Sequence, residues 1–220
     1  MGWIVRLLLK ATFWFVLITV LWVLLYRFVP PPITATMALD ENGSGQNWMS
    51  LEQMDRSMAI AVIAAEDGNF CIHNGFDYDA IQRAWEERQS GERQRGGSTI
   101  SQQTAKNVFL WQGGGWFRKG LEAYFTVLIE FLWGKERIME VYLNVAETGI
   151  GTYGANAGAM RYYGHDASSL TELEAARIAA VLPAPKTRDA NRPGSWTARY
   201  ANQLVRRMRQ VSASPLDDCI

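Results

Sequence analysis

The chain opens with a long apolar segment. No charged residue occurs between Ala11 and Tyr26, and the apolar stretch covers Leu7–Val29 when the flanking lysine and arginine side chains extend toward the membrane surface. A helix of roughly 20 apolar residues is long enough to span a bilayer. The pattern therefore predicts a cytoplasmic tail over 1–10 and a transmembrane helix over 11–29.

The charges on either side of this segment predict its orientation. Arg6 and Lys10 precede it, whereas Asp40 and Glu41 follow it. The positive-inside rule then places the N-terminus in the cytoplasm and the bulk of the chain outside. A cleaved signal peptide is the alternative, but its apolar region has only about 7–15 residues and a small-residue cleavage site close behind. Here the apolar core is longer and ends in three prolines, so we expect an uncleaved anchor.

The rest of the chain divides into a linker and a helical region. Residues 30–50 contain a proline run and then Asn-Gly-Ser-Gly, a composition typical of a linker. Beyond it, capping signals and apolar residues at helical spacing predict helices, and strand alternation is nearly absent. The expected helices follow Ser50-x-x-Gln53, Asp77, Thr99-x-x-Gln102 and Ser169-x-x-Glu172, and cover Arg118–Trp133, Lys135–Val145 and Trp196–Val211. We therefore predict an all-α domain over 51–220 behind one membrane helix.

The overall charge limits the classes of partner. Lysine and arginine together number 22, as do aspartate and glutamate, so the formal net charge is zero. A chain without excess positive charge is not expected to bind nucleic acid by bulk electrostatics. Nine tryptophans suit either a membrane interface or contacts with carbohydrate, and composition does not choose between these two.

The cysteines and histidines are few. Cys71 and Cys219 are the two cysteines, and they can pair only if the C-terminal tail folds back across the domain. We therefore expect two free thiols. Because His73 and His165 are the only histidines and no metal-type spacing is present, a zinc site is not expected.

The first candidate for chemistry is a pair of carboxylates, Glu66 and Asp67, that follows the apolar segment MAIAVIAA. A glutamate at the inner end of an apolar helix is expected to have a raised pKa, because burial disfavours the charged form. That property suits a general acid or base near neutral pH. The alternative is a structural carboxylate at a helix end, paired with an arginine.

The second candidate is the segment GGSTISQQTAKN, which begins at Gly96. Glycines before a hydroxyl-capped helix leave backbone N–H groups free to bind an anion, and Lys106 lies roughly two turns further along that helix. The Gly-Lys-Ser/Thr order of a Walker loop is missing. An ordinary capped surface helix is the alternative.

The third candidate is the segment RKGLE, which contains Arg118, Lys119 and Glu122. Arg118 and Glu122 are four residues apart, so a simple intrahelical ion pair is one interpretation. Two cations at a helix N-terminus oppose the helix dipole, however, and this cost is easier to accept if they face an anionic ligand. Together the three segments fit a sugar reaction with a phosphate leaving group, in which carboxylates move protons and cations stabilise the departing charge.

Four segments, EDGNFCIHNGFD, GGSTISQQTAKN, RKGLE and KERIMEVYLN, occur in the order seen in the family 51 glycosyltransferases of peptidoglycan synthesis. The chain resembles this family over about Leu51 to Arg209, and its length and single anchor resemble the monofunctional biosynthetic transglycosylases. The resemblance implies a lysozyme-like helical fold and polymerisation of lipid II into β-1,4-linked glycan with release of undecaprenyl diphosphate.

The resemblance also implies roles for individual residues. Glu66 matches the general base that deprotonates the 4-hydroxyl of the acceptor, and Glu122 matches the glutamate that orients or stabilises the leaving diphosphate. The residues expected at the substrate and its diphosphate are Asp67, Ser98, Gln103, Lys106, Arg118 and Lys119. A divalent cation such as Mg²⁺ is expected to assist without a dedicated protein cage, and no organic cofactor is expected. For KERIMEVYLN we expect a structural helix whose Lys135 and Glu140 fix the fold.

The implied setting is the bacterial inner membrane, with the catalytic domain outside the cytoplasm. The expected partners are lipid II, the growing glycan strand, the membrane, and proteins of cell-wall synthesis and division, but not nucleic acid. Two other functions remain as alternatives: a lysozyme-like enzyme that cleaves glycan, and a non-catalytic cell-wall scaffold. The cations at Lys106, Arg118 and Lys119 favour transfer from a lipid diphosphate, because cleavage of a polymer needs no diphosphate site.

The chain departs from the family pattern at two glycines. Gly114 stands where an arginine is common, so one phosphate contact is either absent or supplied by Arg118. Gly68 stands where a larger and often polar residue is common, which predicts a looser loop beside the base.

Overall fold

The computed structural model describes residues 2–90 and 96–220 and confirms the predicted all-α fold class. The helices are α1 (Gly2–Phe28), α2 (Ala35–Ala38), α3 (Arg56–Glu66), α4 (Tyr78–Ser90), α5 (Ile100–Phe109), α6 (Gly115–Leu132), α7 (Lys135–Val145), α8 (Ala155–Tyr163), α9 (Glu172–Val181) and α10 (Ser195–Ser212). Short 3₁₀ turns cover Leu51–Gln53, Ala167–Ser169 and Pro215–Asp217. The strands are β1 (Gly45–Gln46), β2 (Glu147–Gly149) and β3 (Thr152–Tyr153).

Several helices begin where their capping residues predict. Asp77 accepts a hydrogen bond from the backbone N–H of Ala80 at 2.8 Å, at the start of α4. Thr99 and Gln102 form a reciprocal capping box at the start of α5. These caps satisfy backbone donors that the first turn of a helix leaves without intrahelical partners.

Two helices begin later than the predicted capping residues indicate. The box at Ser50 closes the 3₁₀ turn Leu51–Gln53, and α3 begins later, with Asp55 accepting from the N–H of Ser57 at 2.9 Å. Ser169 lies in a 3₁₀ turn, whereas the cap of α9 is Thr171. In both cases a second capping residue lies a few positions further along the chain, and the longer apolar helix begins there.

The described residues include a small sheet that the sequence did not predict. Its strand order is β1-β3-β2, with β1 parallel and β2 antiparallel to β3. The strands have only two or three residues each, which is too short for a visible alternation of apolar and polar positions. Because β1 lies within 30–50, this segment pairs with the body of the domain next to the end of α7.

The core forms where α3, α9 and α10 pack together. Small side chains on α9, including Ala175, Ala176, Ala179 and Ala180, are fully buried. Such residues allow helix axes to approach closely, and α3 fits against them with its apolar residues from Met58 to Ile63. The apolar interior therefore continues up to Glu66, the last residue of α3.

The prediction of two free thiols was wrong. Cys71 and Cys219 form a disulfide with their Cα atoms 5.4 Å apart. The tail does fold back: Arg56 donates to the backbone oxygen of Ile220 at 2.7 Å and forms an ion pair with Asp217 at 3.2 Å. The disulfide therefore joins the loop that follows Glu66 to the end of the chain.

The N-terminal helix α1 is long and apolar enough to cross a membrane. Its C-terminal half packs on the domain, where the hydroxyls of Thr19 and Tyr124 lie 2.7 Å apart. The indole N–H of Trp133 donates to the backbone oxygen of Val23 at 2.8 Å, and Arg137 donates to the backbone oxygen of Tyr26 at 2.8 Å. These contacts join α1 directly to the domain.

Candidate active site

Glu66 ends α3 and is partly exposed. The side-chain amide of Gln103 on α5 donates to its Oε2 at 2.8 Å. Burial is the largest influence on the pKa of Glu66 and raises it, and the neighbouring Asp67 raises it further. The hydrogen bond from Gln103 and the charges of Lys106 and Arg188 oppose this rise. The raised pKa agrees with the prediction made from the apolar helix, and it suits a general base.

Asp67 has a different position from the one expected. Its side chain is buried, its Oδ2 accepts from the backbone N–H of Ile100 at 2.9 Å, and its Oδ1 lies 2.8 Å from Nε2 of His73. The N–H of Gly75 donates to Nδ1 of His73 at 3.1 Å, so Nε2 carries the hydrogen that faces Asp67. Asp67 therefore connects the end of α3 to the start of α5. The resemblance had implied that Asp67 contacts the substrate, but both of its carboxylate oxygens bind protein groups.

Gln103 and Lys106 lie three residues apart on α5 and share one of its faces. The hydroxyl of the buried Tyr142 on α7 donates to Oε1 of Gln103 at 3.3 Å. Lys106 is half-buried, and burial lowers the pKa of its ammonium group, while the nearby Glu122 and Glu66 raise it. Lys106 thus interacts electrostatically with both of the candidate glutamates.

Glu122 on α6 is buried, with 3% of its surface exposed. Arg118 donates to its Oε2 at 2.7 Å, and Lys119 forms a short contact with its Oε1. Lys119 also donates to Oγ of Ser98 at 3.3 Å. The intrahelical ion pair considered from the sequence is therefore present. Three cations, counting Lys106, surround one carboxylate, which leaves a surplus of positive charge for an anionic ligand.

The two glycine departures differ in their surroundings. Gly114 has a φ of +84°, and a Cβ atom there would lie 2.8 Å from Cβ of Arg118 and 3.0 Å from Nε1 of Trp111. An arginine at this position would therefore be strained, and Arg118 instead contacts the backbone oxygen of Gly113. A Cβ atom at Gly68 would meet nothing within 4 Å, so no contact requires glycine at that position.

A cleft of about 680 Å³ opens beside these groups. It is lined by Gln103, Lys106 and Tyr142, and continues along the segment 182–187 and the side chains of Asp40, Glu147 and Tyr153. Lys186 lies 3.2 Å from Oδ2 of Asp40 at this wall. The sequence patterns did not indicate Tyr142, Arg188 or Lys186 as site residues. Tyr142 does lie within one of the four quoted segments, and this was the only signal for it.

The segment KERIMEVYLN forms α7, and its charged residues are structural, as predicted. Lys135 forms an ion pair with Glu130 at 2.7 Å, and Glu140 accepts from the backbone N–H of Leu51 at 3.3 Å. Asn144 bonds both backbone groups of Met49, at 2.9 and 2.8 Å. These contacts hold α7 in place and thereby position Tyr142.

The side chains around the site provide few free ligands for a divalent cation. Within residues 2–90 and 96–220, no three histidine, cysteine, aspartate or glutamate side chains come together as metal ligands. Both carboxylate oxygens of Glu122 are already contacted by Arg118 and Lys119. The described residues therefore do not fit a protein-held Mg²⁺ ion.

Comparison with known proteins identifies the family. The family model described as Transglycosylase matches residues 34–210. A biosynthetic peptidoglycan transglycosylase of Caulobacter vibrioides is 49% identical over 201 residues, covering 90% of this chain and 88% of that protein. Proteins of the same name from Xanthomonas axonopodis pv. citri and Pseudomonas putida are 49% and 46% identical, covering 94% of this chain and 88% and 92% of their own lengths.

The family model spans the residues that line the cleft and all the candidate site residues. The matches agree with the resemblance carried by the four ordered segments, and the transglycosylase domain is lysozyme-like, as that resemblance implied. The chain belongs to the transglycosylase family.

Proposed function

We propose that this protein is a peptidoglycan glycosyltransferase that polymerises lipid II into β-1,4-linked glycan strands for bacterial cell-wall synthesis. The observation that carries the proposal is that two residues of α5 contact two different groups of charges. Gln103 donates a hydrogen bond to Glu66, a partly exposed carboxylate with a raised pKa. Beside it Lys106 joins the cations that surround Glu122.

Each group has a role that its surroundings support. Glu66 removes the proton from the 4-hydroxyl of the acceptor lipid II, and a base with a pKa nearer the working pH does this more effectively than an ordinary glutamate. The acceptor oxygen attacks the anomeric carbon of the growing strand, and the bond from that carbon to the diphosphate oxygen breaks. Inversion at this carbon turns the α-link into a β-1,4 link.

The leaving group is undecaprenyl diphosphate, which carries away the electron pair of the broken bond. Lys106, Arg118 and Lys119 stabilise its negative charge, and Glu122 holds Arg118 and Lys119 in place. Lys119 also donates a hydrogen bond to the hydroxyl of Ser98, which helps to hold it. Preorganised cations of this kind act without the cost of reorganising solvent during the reaction.

The direct test is a polymerisation assay. Detergent-solubilised protein is incubated with labelled lipid II and Mg²⁺, and the products are separated by size, with Glu66→Gln in parallel. We expect long glycan ladders from the wild type and none from the variant. Glu172→Gln is the matched control, because Glu172 is an exposed glutamate at the start of α9. Shortening of preformed glycan by the wild type, without ladders from lipid II, would instead indicate a lytic enzyme.

The membrane setting is part of the proposal. The single apolar helix α1 and the charges around it support a single-pass protein of the bacterial inner membrane, with a cytoplasmic N-terminus and an extracytoplasmic catalytic domain. Partners among cell-wall synthesis and division proteins would act on the same side. Protease digestion of intact spheroplasts tests the orientation, and full protection of the domain would contradict it.

A further inference from the structure

A chain of two hydrogen bonds reaches Glu66 from the interior. Tyr142 on α7 is 1% exposed, and its hydroxyl lies 3.3 Å from Oε1 of Gln103. At its other end the amide of Gln103 donates from Nε2 to Oε2 of Glu66 at 2.8 Å. The side chain of Gln103 thus lies between a phenol and a carboxylate.

The direction of the hydrogen bonds from Tyr142 through Gln103 affects how well Glu66 can act as a base. A carboxylate ready to take a proton only accepts hydrogen bonds, so it needs the NH₂ end of the Gln103 amide. The carbonyl end would direct its lone pairs at Glu66 and disfavour the charged form. The two ends of an amide have nearly the same shape, so the neighbouring hydrogen bonds decide which end faces Glu66.

We propose that Tyr142 is a positioning residue for Glu66, because its hydroxyl holds the carbonyl of Gln103 and thereby turns the NH₂ group toward the base. The inference rests on the proposed function, since it assumes that Glu66 is the general base. Tyr142 contacts Gln103 and acts on the base only through that amide.

Apart from burial and the hydrogen bond from Gln103, the influences on the pKa of Glu66 from the residues that the structure describes are electrostatic. Asp67 lies on the same chain segment, Lys106 on α5 and Arg188 on the loop after α9, and all three act on Glu66 by charge. Tyr200 on α10 donates to the backbone oxygen of Ala65 at 3.3 Å.

Tyr142 remains a donor under working conditions. Burial, together with the nearby Glu66 and Asp67, raises the pKa of its phenol well above the ordinary value. The phenol therefore keeps its hydrogen throughout the pH range of an assay, and it cannot itself serve as the base.

The test is the pH profile of polymerisation with Tyr142→Phe. Removal of the hydroxyl frees the Gln103 amide to turn, so Glu66 loses a hydrogen-bond donor. The protonated form of Glu66 is then stabilised relative to the charged form. We expect the acid limb of the kcat/KM profile to move to higher pH by about one unit. At pH values below the limb kcat/KM should then fall about tenfold, whereas on the alkaline side it should change little. Tyr162→Phe is the matched control. Tyr162 is also buried, and its hydroxyl donates to the backbone oxygen of Thr148 at 2.9 Å.

A second variant covers a failure of Tyr142→Phe to fold, which thermal unfolding would reveal. Gln103→Met leaves α7 unchanged and removes the same donor, so we expect the same shift of the acid limb. In the Gln103→Met background, Tyr142→Phe should add no further shift, because the two changes act through one contact.

The outcomes separate the two proposals. If the wild type makes no glycan at any pH, the proposed function fails, and the positioning role of Tyr142 fails with it. If the wild type and Tyr162→Phe are active, but Tyr142→Phe or Gln103→Met loses activity equally at every pH, the positioning role of Tyr142 is overturned.

Discussion

The disulfide between Cys71 and Cys219 allows a quantitative prediction about stability. The perturbation is Cys71→Ser combined with Cys219→Ser, which removes the bond and little else. The two cysteines are 148 residues apart. For a loop of that length, chain entropy in the unfolded state gives an upper limit of about 5 kcal/mol, and disulfides typically contribute about 2–4 kcal/mol.

The tail keeps other contacts when the bond is absent. Arg56 still bonds Ile220 and pairs with Asp217, so the folded state changes little and the effect falls on the unfolded chain. We therefore expect the free energy of unfolding to drop by about 3 kcal/mol and Tm by about 10 °C in a domain of this size. Polymerisation at 25 °C should stay close to that of the wild type, because Asp67 is held by contacts with Ile100 and His73 that do not involve Cys71.

The assay is a denaturant titration of both proteins in the same detergent, with thiols counted in the unfolded, unreduced wild type. No free thiols and a higher unfolding midpoint in the wild type are the expected result. Equal midpoints for the two proteins would refute the reasoning that the bond acts by restricting the unfolded chain. Two free thiols in protein purified under oxidising conditions would refute the bond itself.

Three further predictions concern the site. Because burial raises the pKa of Glu66 above 4.5, the folded protein retains this proton where the unfolded chain loses it, and stability falls as the pH rises through that window. In denaturant titrations Glu66→Gln should therefore have a higher free energy of unfolding than the wild type at about pH 8 and an equal one at about pH 4. The same difference in free energy of unfolding at both pH values would contradict this. Asp67→Asn should lower the free energy of unfolding by about 2 kcal/mol and reduce kcat, because an amide oxygen replaces the carboxylate that His73 contacts; an unchanged Tm would count against it. Gly114→Arg should destabilise the protein by about 1–2 kcal/mol in the same assay and reduce polymerisation, because its φ is positive and Arg118 fills the space; higher activity would show that the loop adapts.

The elements that the sequence predicted well are those decided by local pattern. Periodic apolar residues and adjacent caps located α4, α5 and α7, and the helical class followed from them. The ordered segments likewise brought Glu66 and Glu122 to one region, where Lys106 interacts with both. The helices depend on neighbours within one or two turns, and a single sequence contains that information, whereas the meeting of Glu66 and Glu122 was implied by the family resemblance.

The features that escaped prediction depend on distant parts of the chain. The disulfide needs a folded tail, and the short strands need partners from separate segments. The family resemblance implied that Asp67 lies at the substrate, but its carboxylate is contacted by the N–H of Ile100 and the ring of His73. No local pattern shows which of two adjacent carboxylates stays partly exposed and which is buried.

The packing of α1 on the domain has a mechanical consequence. Trp133 and Arg137 donate hydrogen bonds to the backbone oxygens of Val23 and Tyr26 on α1, so these contacts tie the helix to the domain that holds the cleft. If α1 spans a bilayer as proposed, these contacts link the height and tilt of the cleft to the depth of the helix, regardless of the length of segment 30–50. On that proposal the helix would set the height of the cleft above the membrane surface, and an unrelated anchor of equal hydropathy would lack the contacts with Trp133 and Arg137.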